Sequence, residues 1–251
     1  MELLSDPFTL TMGCLAVIII GMAKGGFFGL GALATPLLAL ALPPAVAAAV
    51  LLPVLLAQDL VTVWSFRASW DRWIVAWMLP GVIAGIALAT GFSAIVDESL
   101  LIAALGIITL VFGAYRLWLQ RGGRIAAASN SPGWVGTLFG VGVGVTSQIA
   151  HAGGPPFQMW VTPRRLDHLT YAGTTSVLFA LTNWIKVPGF IAFGALNRET
   201  MIAAALLMPL AVITTLLAVR IIRRLDTARF YTIIHILMVL LGIKLIWDGF
   251  T

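Results

Sequence analysis

A segment near the start of this chain returns past its middle. Gly31-Ala-Leu-Ala-Thr-Pro36-Leu-Leu-Ala-Leu-Ala-Leu-Pro43 is answered by His151-Ala-Gly-Gly-Pro-Pro156-Phe-Gln-Met-Trp-Val-Thr-Pro163. The offset is 120 residues at both prolines and again from Trp64 to Trp184. Later it becomes 129, pairing Pro80 with Pro209, Asp97 with Asp226, Gly113 with Gly242 and Trp118 with Trp247. The shift puts an insertion near residues 189–197. A duplicated chain has to fold as two related units, and a site is expected where they meet.

Composition says what kind of units these are. Of the 251 residues, 60% are hydrophobic and 10% charged, with a mean hydropathy of +1.02. Soluble domains carry about 25% charged residues, so this chain has too few to cover a water-facing surface. Apolar runs of about 20 residues are long enough to cross a bilayer as helices. The expected fold class is therefore all-α: a polytopic transmembrane bundle whose main partner is lipid. The net charge is +5, but the basic residues sit between apolar runs, where they set topology rather than bind nucleic acid. Cys14 is the only cysteine, which excludes an internal disulfide. With three scattered histidines, no metal site or cofactor is expected. The N-terminus lacks the basic start of a cleaved signal peptide, so the first apolar run is expected to be retained.

The periodicity divides into ten apolar segments, five per copy. They cover 8–23, 27–42, 45–66, 73–91 and 100–119, then 134–149, 155–161, 169–193, 201–222 and 230–250. Repeat one is 1–121, repeat two 133–251, and 122–132 is a small, polar, basic linker on the cytoplasmic side. The second segment of each copy is short, preceded by glycine and closed by proline, as in a broken or re-entrant helix. Arg67, Arg72, Arg121, Arg124, Arg164, Arg165, Arg220, Arg223, Arg224 and Arg229 mark cytoplasmic turns; Glu2, Asp6, Asp97 and Glu98 mark outer ones. The N-terminus is then outside. The turn at Asp97 is acidic, whereas its counterpart near Asp226 is basic, so the copies are expected to be inverted. Trp70, Trp73 and Trp77 read as an interface belt, and Trp64 and Trp184 are expected to pack near the pseudo-two-fold axis.

Chemistry is concentrated at the two breaks. Gly25, Gly26, Gly29 and Gly31 lead to Pro36; Gly140, Gly142 and Gly144 lead to Gly153, Gly154, Pro155 and Pro156. A half-helix that starts inside the membrane turns free N–H groups and a partial positive charge toward an anion. Lys24, Asp59 and Lys186 lie in apolar segments, where an ionisable group costs about 2.5–3.5 kcal/mol and normally faces a cavity or a partner. Gln58 is beside Asp59, and Asn183 is one helical turn before Lys186. Thr146, Ser147, Gln148 and His151 belong to the second break, and Thr174, Thr175 and Ser176 form a hydroxyl cluster. Asp59 and His151 are the candidates for moving a proton. No nucleophile–base pair suggests an enzyme.

With Pro80, Gly81 and Gly85 forming P-G-x-x-x-G in the fourth segment, the pattern resembles the sulfite exporter TauE/SafE family across nearly the whole chain. The resemblance implies a multi-pass transporter of small sulfur-containing anions, sulfite or organosulfonates, in the bacterial cytoplasmic membrane. It places Gly29, Gly31 and Pro36, and Gly153, Gly154 and Pro156, in the family's glycine-rich repeats. The family's fuller glycine run is thinned here to Gly29-Leu-Gly31-Ala, with Lys24 ahead of it. The expected substrate-binding residues are Lys24, Gly29, Gly31, Gln148, His151, Gly153, Gly154, Thr175, Asn183 and Lys186. An anion channel and a non-transporting membrane scaffold are the alternatives.

Overall fold

The computed structural model of the protein describes residues 6–25, 30–93, 95, 97–122, 131–221 and 227–250. These residues form ten α-helices: α1 (Pro7–Lys24), α2 (Ala34–Leu38), α3 (Pro44–Phe66), α4 (Arg72–Ser93), α5 (Glu98–Gln120), α6 (Gly133–Ala150), α7 (Gly154–Val161), α8 (His168–Ala192), α9 (Arg198–Ile221) and α10 (Thr227–Phe250). Six of them (α1, α3, α4, α5, α8 and α9) contain stretches long and apolar enough to cross a membrane.

Local chemistry sets the ends. Pro7 occupies the first turn of α1, and the Asp6 carboxylate accepts from Thr9 N at 2.8 Å and Thr9 Oγ1 at 2.9 Å. That satisfies one of the donors a helix start leaves open. α8 starts the same way, with Asp167 Oδ1 accepting from the Leu169 and Thr170 amides. α6 ends at His151, whose φ of 51° is in the left-handed region. That position usually takes glycine, and a β-carbon there is strained.

A short helix follows α1 and another follows α6. After α1 the chain resumes as a 3₁₀ turn at Leu30–Leu33, which leads into the five-residue α2. After α6 only His151, Ala152 and Gly153 precede the eight-residue α7. At about 1.5 Å per residue, neither short helix reaches across a bilayer.

The helices interlock across the duplication. α4 packs along α6 and α9 along α1; α3 packs on α9 and α8 on α4; α1 packs on α2 and α6 on α7. α5 packs on α10, and α3 on α8. Exchanging α1–α5 for α6–α10 leaves this scheme of partners unchanged. One apolar core joins α1, α2 and α3 to α9, and another joins α6, α7 and α8 to α4. Neither copy completes a core alone. The α4–α6 seam depends on glycine: a β-carbon on Gly81 would sit 1.9 Å from the Thr137 carbonyl oxygen, and one on Gly144 2.3 Å from that of Val82. Two backbones approach this closely only where no side chain intervenes.

A third core brings the breaks together. Leu30, Ala32 and Leu33 of the first pack with Ala150 and Ala152 of the second, between Leu105 and Phe112 of α5 and Leu245 of α10. The change of offset is absorbed as helix. The repeat counterpart of Phe66, where α3 ends, is Lys186, yet α8 continues to Ala192. α9 likewise starts at Arg198, ahead of Met201, the counterpart of Arg72 where α4 starts.

One expectation is corrected. Trp64 and Trp184, expected to be packed, are 71% and 57% exposed on the outside of the bundle. Indole rings suit a lipid-facing or headgroup position, and the interior beside them is filled by smaller side chains of α3 and α8. Of the linker 122–132, only Gly122, Ser131 and Pro132 fall within the described residues.

Candidate functional site

Between the two breaks lies a cavity of about 80 Å³, walled by α1, α3, α6, α7, α8 and the 3₁₀ turn. Lys24, Gly31, His151, Gly154, Thr175 and Asn183, all expected from sequence, line it together with Ser147 and Ser176. Ile20, Leu55, Phe157 and Phe179 supply apolar wall.

Two polar clusters border this space. In the first, the Lys24 ammonium forms an ion pair with Asp59 Oδ1. Asp59 Oδ2 accepts from Asn183 Nδ2 at 2.6 Å. Asp59 is 1% exposed, and the pair joins α1, α3 and α8. A buried carboxylate is tolerated when both oxygens are engaged and a cation is adjacent.

The second cluster contains a cation with no such counterion. Lys186 is 0% exposed. Its Nζ lies 2.6 Å from His151 Nδ1 and 3.2 Å from both the carbonyl and the hydroxyl oxygen of Ser147. His151 Nε2 is 3.0 Å from the Ala48 carbonyl oxygen. A carbonyl only accepts, so Nε2 carries the ring hydrogen and Nδ1 accepts from Lys186. All three partners of the ammonium are therefore neutral. Among the described residues no carboxylate lies within salt-bridge distance of it. With their ordinary charges, Lys24, Asp59 and Lys186 leave one positive charge uncompensated beside the cavity.

The remaining candidates separate. Gly153 adjoins Phe179 and Val143 and caps α7. Gly29 lies outside the described residues. Gln148 faces away from the cavity into a larger vestibule of about 400 Å³ on the far side of the break, bounded by the starts of α3 and α9 and the end of α8. Its Oε1 is buried and has no hydrogen-bond partner among the described residues. The part of α8 past Lys186, including Phe190, walls that vestibule. The hydroxyls of Thr174, Thr175 and Ser176 each bond the carbonyl one turn back in α8, as helical Ser and Thr often do. Thr174 Oγ1 also accepts from the Asp71 amide at the start of α4.

Sequence reasoning passed over Gln158 and Arg116. Gln158 lines the cavity from α7 and accepts a hydrogen bond from the Arg116 guanidinium of α5. Gln158 carried a signal, as a carboxamide in a short apolar segment. Arg116 is close enough to the end of its segment to read as an interfacial cation.

The α7 terminus contributes less than a bare helix start would. Pro155 and Pro156 fill its second and third positions and have no N–H. The positive character of the cavity thus comes mainly from side chains.

The family model described as Sulfite exporter TauE/SafE matches residues 14–245 of the chain. No curated protein and no solved structure gives a match.

Proposed function

Since the chain belongs to the sulfite exporter TauE/SafE family, whose members are membrane transporters and not enzymes, we propose that it moves a small sulfur-containing oxyanion, sulfite or an organosulfonate. The direction we assign is export across a bacterial cytoplasmic membrane. The observation that carries this reading is Lys186: a buried lysine whose Nζ has only neutral hydrogen-bond partners among the described residues, one side chain away from the cavity. A charge on it is uncompensated while the cavity is empty, and an anion in the cavity supplies the counter-charge. The small volume selects few heavy atoms. Lys24, His151, Ser147 and the Gly154 amide are the groups that contact the anion, and Asn183 positions Asp59 beside Lys24.

We assign the copies opposite orientations, with the N-terminus outside and the 122–132 linker inside; this counts the second segment of each copy, short helix and flanking chain together, as a crossing. The invariant partner scheme under exchange of the copies supports two-fold relation, and the opposite charge of equivalent turns supports inversion. Proton coupling, if export is driven that way, involves Asp59 or His151, titratable groups beside the cavity that each share a hydrogen bond with a lysine.

The test is flux through purified protein in liposomes. Labelled sulfite, sulfate, thiosulfate, sulfoacetate and taurine are supplied with and without a pH gradient. Saturable movement of sulfite or a sulfonate is expected, and loss of accumulation against a gradient on Asp59→Asn or His151→Gln would identify the coupling group. No flux of any of these anions would refute the reading.

A further inference from the structure

The cavity and the vestibule have no lining residue in common, yet a thin wall divides them. On α6, Ser147 lines the cavity and the next residue, Gln148, lines the vestibule. On α8, Phe179, Asn183, Lys186 and Phe190 follow one another at helical spacing and share a face. Phe179 and Asn183 line the cavity, Phe190 lines the vestibule, and Lys186 lies between them and lines neither.

The His151 ring stands in this wall. It lines the cavity and is held from three directions. Lys186 Nζ is 2.6 Å from its Nδ1, and the Ala48 carbonyl oxygen is 3.0 Å from its Nε2. The Phe190 ring stacks on it, 22° from parallel with 6.3 Å between centroids. Ala48 and Phe190 both belong to the vestibule wall. Phe190 is buried and packs on Ala48, Ala49 and Leu52 of α3. The left-handed backbone at His151 is costly for a residue with a β-carbon and persists only where its surroundings hold it; these three contacts are that hold. Arg67 follows α3, and Arg164 and Arg165 precede α8. On the orientation assigned above, α3 therefore begins and α8 ends at the outer side, where both wall the vestibule.

We propose that the vestibule is the outer mouth of the passage, and that the His151 ring, braced by Phe190, is the barrier that closes it from the anion cavity. The proposal rests on the transport reading above. Outward release then requires the ring to leave the Ala48 carbonyl and the face of Phe190. Phe190 touches no anion; it is a positioning residue that acts through His151.

The test is the rate at which an impermeant thiol reagent, applied outside intact cells, labels single cysteines in a Cys14→Ala background of the full chain. Ile149→Cys reports on the vestibule and Ala23→Cys on the cavity. Ile149→Cys is expected to react and Ala23→Cys to stay protected. Adding Phe190→Ala, or adding His151→Gly, which adopts the left-handed backbone without strain, is expected to speed labelling of Ala23→Cys about tenfold or more. Ala204→Cys, buried in the core that joins α1, α2 and α3 to α9, is expected to stay protected throughout. An Ile149→Cys that does not react from outside overturns the proposal. So does an Ala23→Cys that already reacts without the second substitution, or that stays protected with either one. Equal labelling of Ala204→Cys overturns it as well, because the two rings would then only hold the bundle together. If Phe190→Ala does not fold, His151→Gly decides alone. Labelling does not depend on flux, so absence of sulfite movement by the unaltered protein in liposomes refutes the transport reading instead.

Discussion

At the scale of single residues, the two buried lysines separate stability from function. Lys24 is held by a carboxylate and Lys186 by neutral groups. Removing one member of a buried ion pair strands the other, at about 3–5 kcal/mol. Lys24→Met and Asp59→Leu should therefore each lower the midpoint of thermal unfolding substantially. The double variant should recover most of that loss, since two apolar side chains replace a pair of charges. It should still fail to take up anion, because the cavity has lost Lys24; a double variant that transports normally would remove Lys24 from the site. Lys186→Met discards three hydrogen bonds and also an uncompensated charge, so opposing effects leave the midpoint nearly unchanged while sulfite uptake falls about tenfold or more. Sequence exposes such residues because ionisable groups in apolar runs are conspicuous. It does not reveal partners: Lys24 and Asp59 are 35 residues apart, and Asp59 and Asn183 are 124 apart. Nor could it show that Gln148 faces the vestibule. One helical step decides which side of a break a residue faces, and the left-handed turn at His151 is not written in the hydropathy.

At the scale of elements, all ten helices lie where the apolar runs put them, because length and caps determine both. The second segment is the one that changes: it divides into a 3₁₀ turn and a five-residue helix, since glycine permits several backbone conformations at similar cost. The cap of α8 has a pH signature. Hydrogen bonds from Thr170, with a smaller one from Leu169, hold the Asp167 carboxyl below its usual value of 3.8. The ionised cap therefore stabilises the fold above that usual value, and the stabilisation is lost as pH falls through the lowered one. Asp167→Ala is expected to reduce the unfolding midpoint at pH 6, with the difference shrinking below a pH of about 3.8. A difference that is the same at pH 6 and in strong acid would contradict the cap.

Across the whole molecule the two halves of the chain interlock, with α4 and α9 each completing the other half's core. Repeats in the sequence pointed to two units but not to this exchange, which depends on long-range packing. The extra residues in copy two extend α8 and α9, and the extended end of α8 walls the vestibule. The orientation has its own check. In a Cys14→Ala background, single cysteines at Asp97 and Glu199 should react with an impermeant thiol reagent from outside intact cells. Cysteines at Arg67 and Arg121 should react only from inside, and labelling of all four from one side would refute the inverted arrangement.

The proposed anion site lies between the two glycine breaks, against Lys24 and His151. Selenite has the shape and charge of sulfite and a heavy atom that scatters anomalously. Crystals of the transport-competent protein grown with selenite should show one strong anomalous peak in the cavity, within hydrogen-bonding distance of Lys24 Nζ. An empty cavity in crystals of protein that transports selenite would contradict the account.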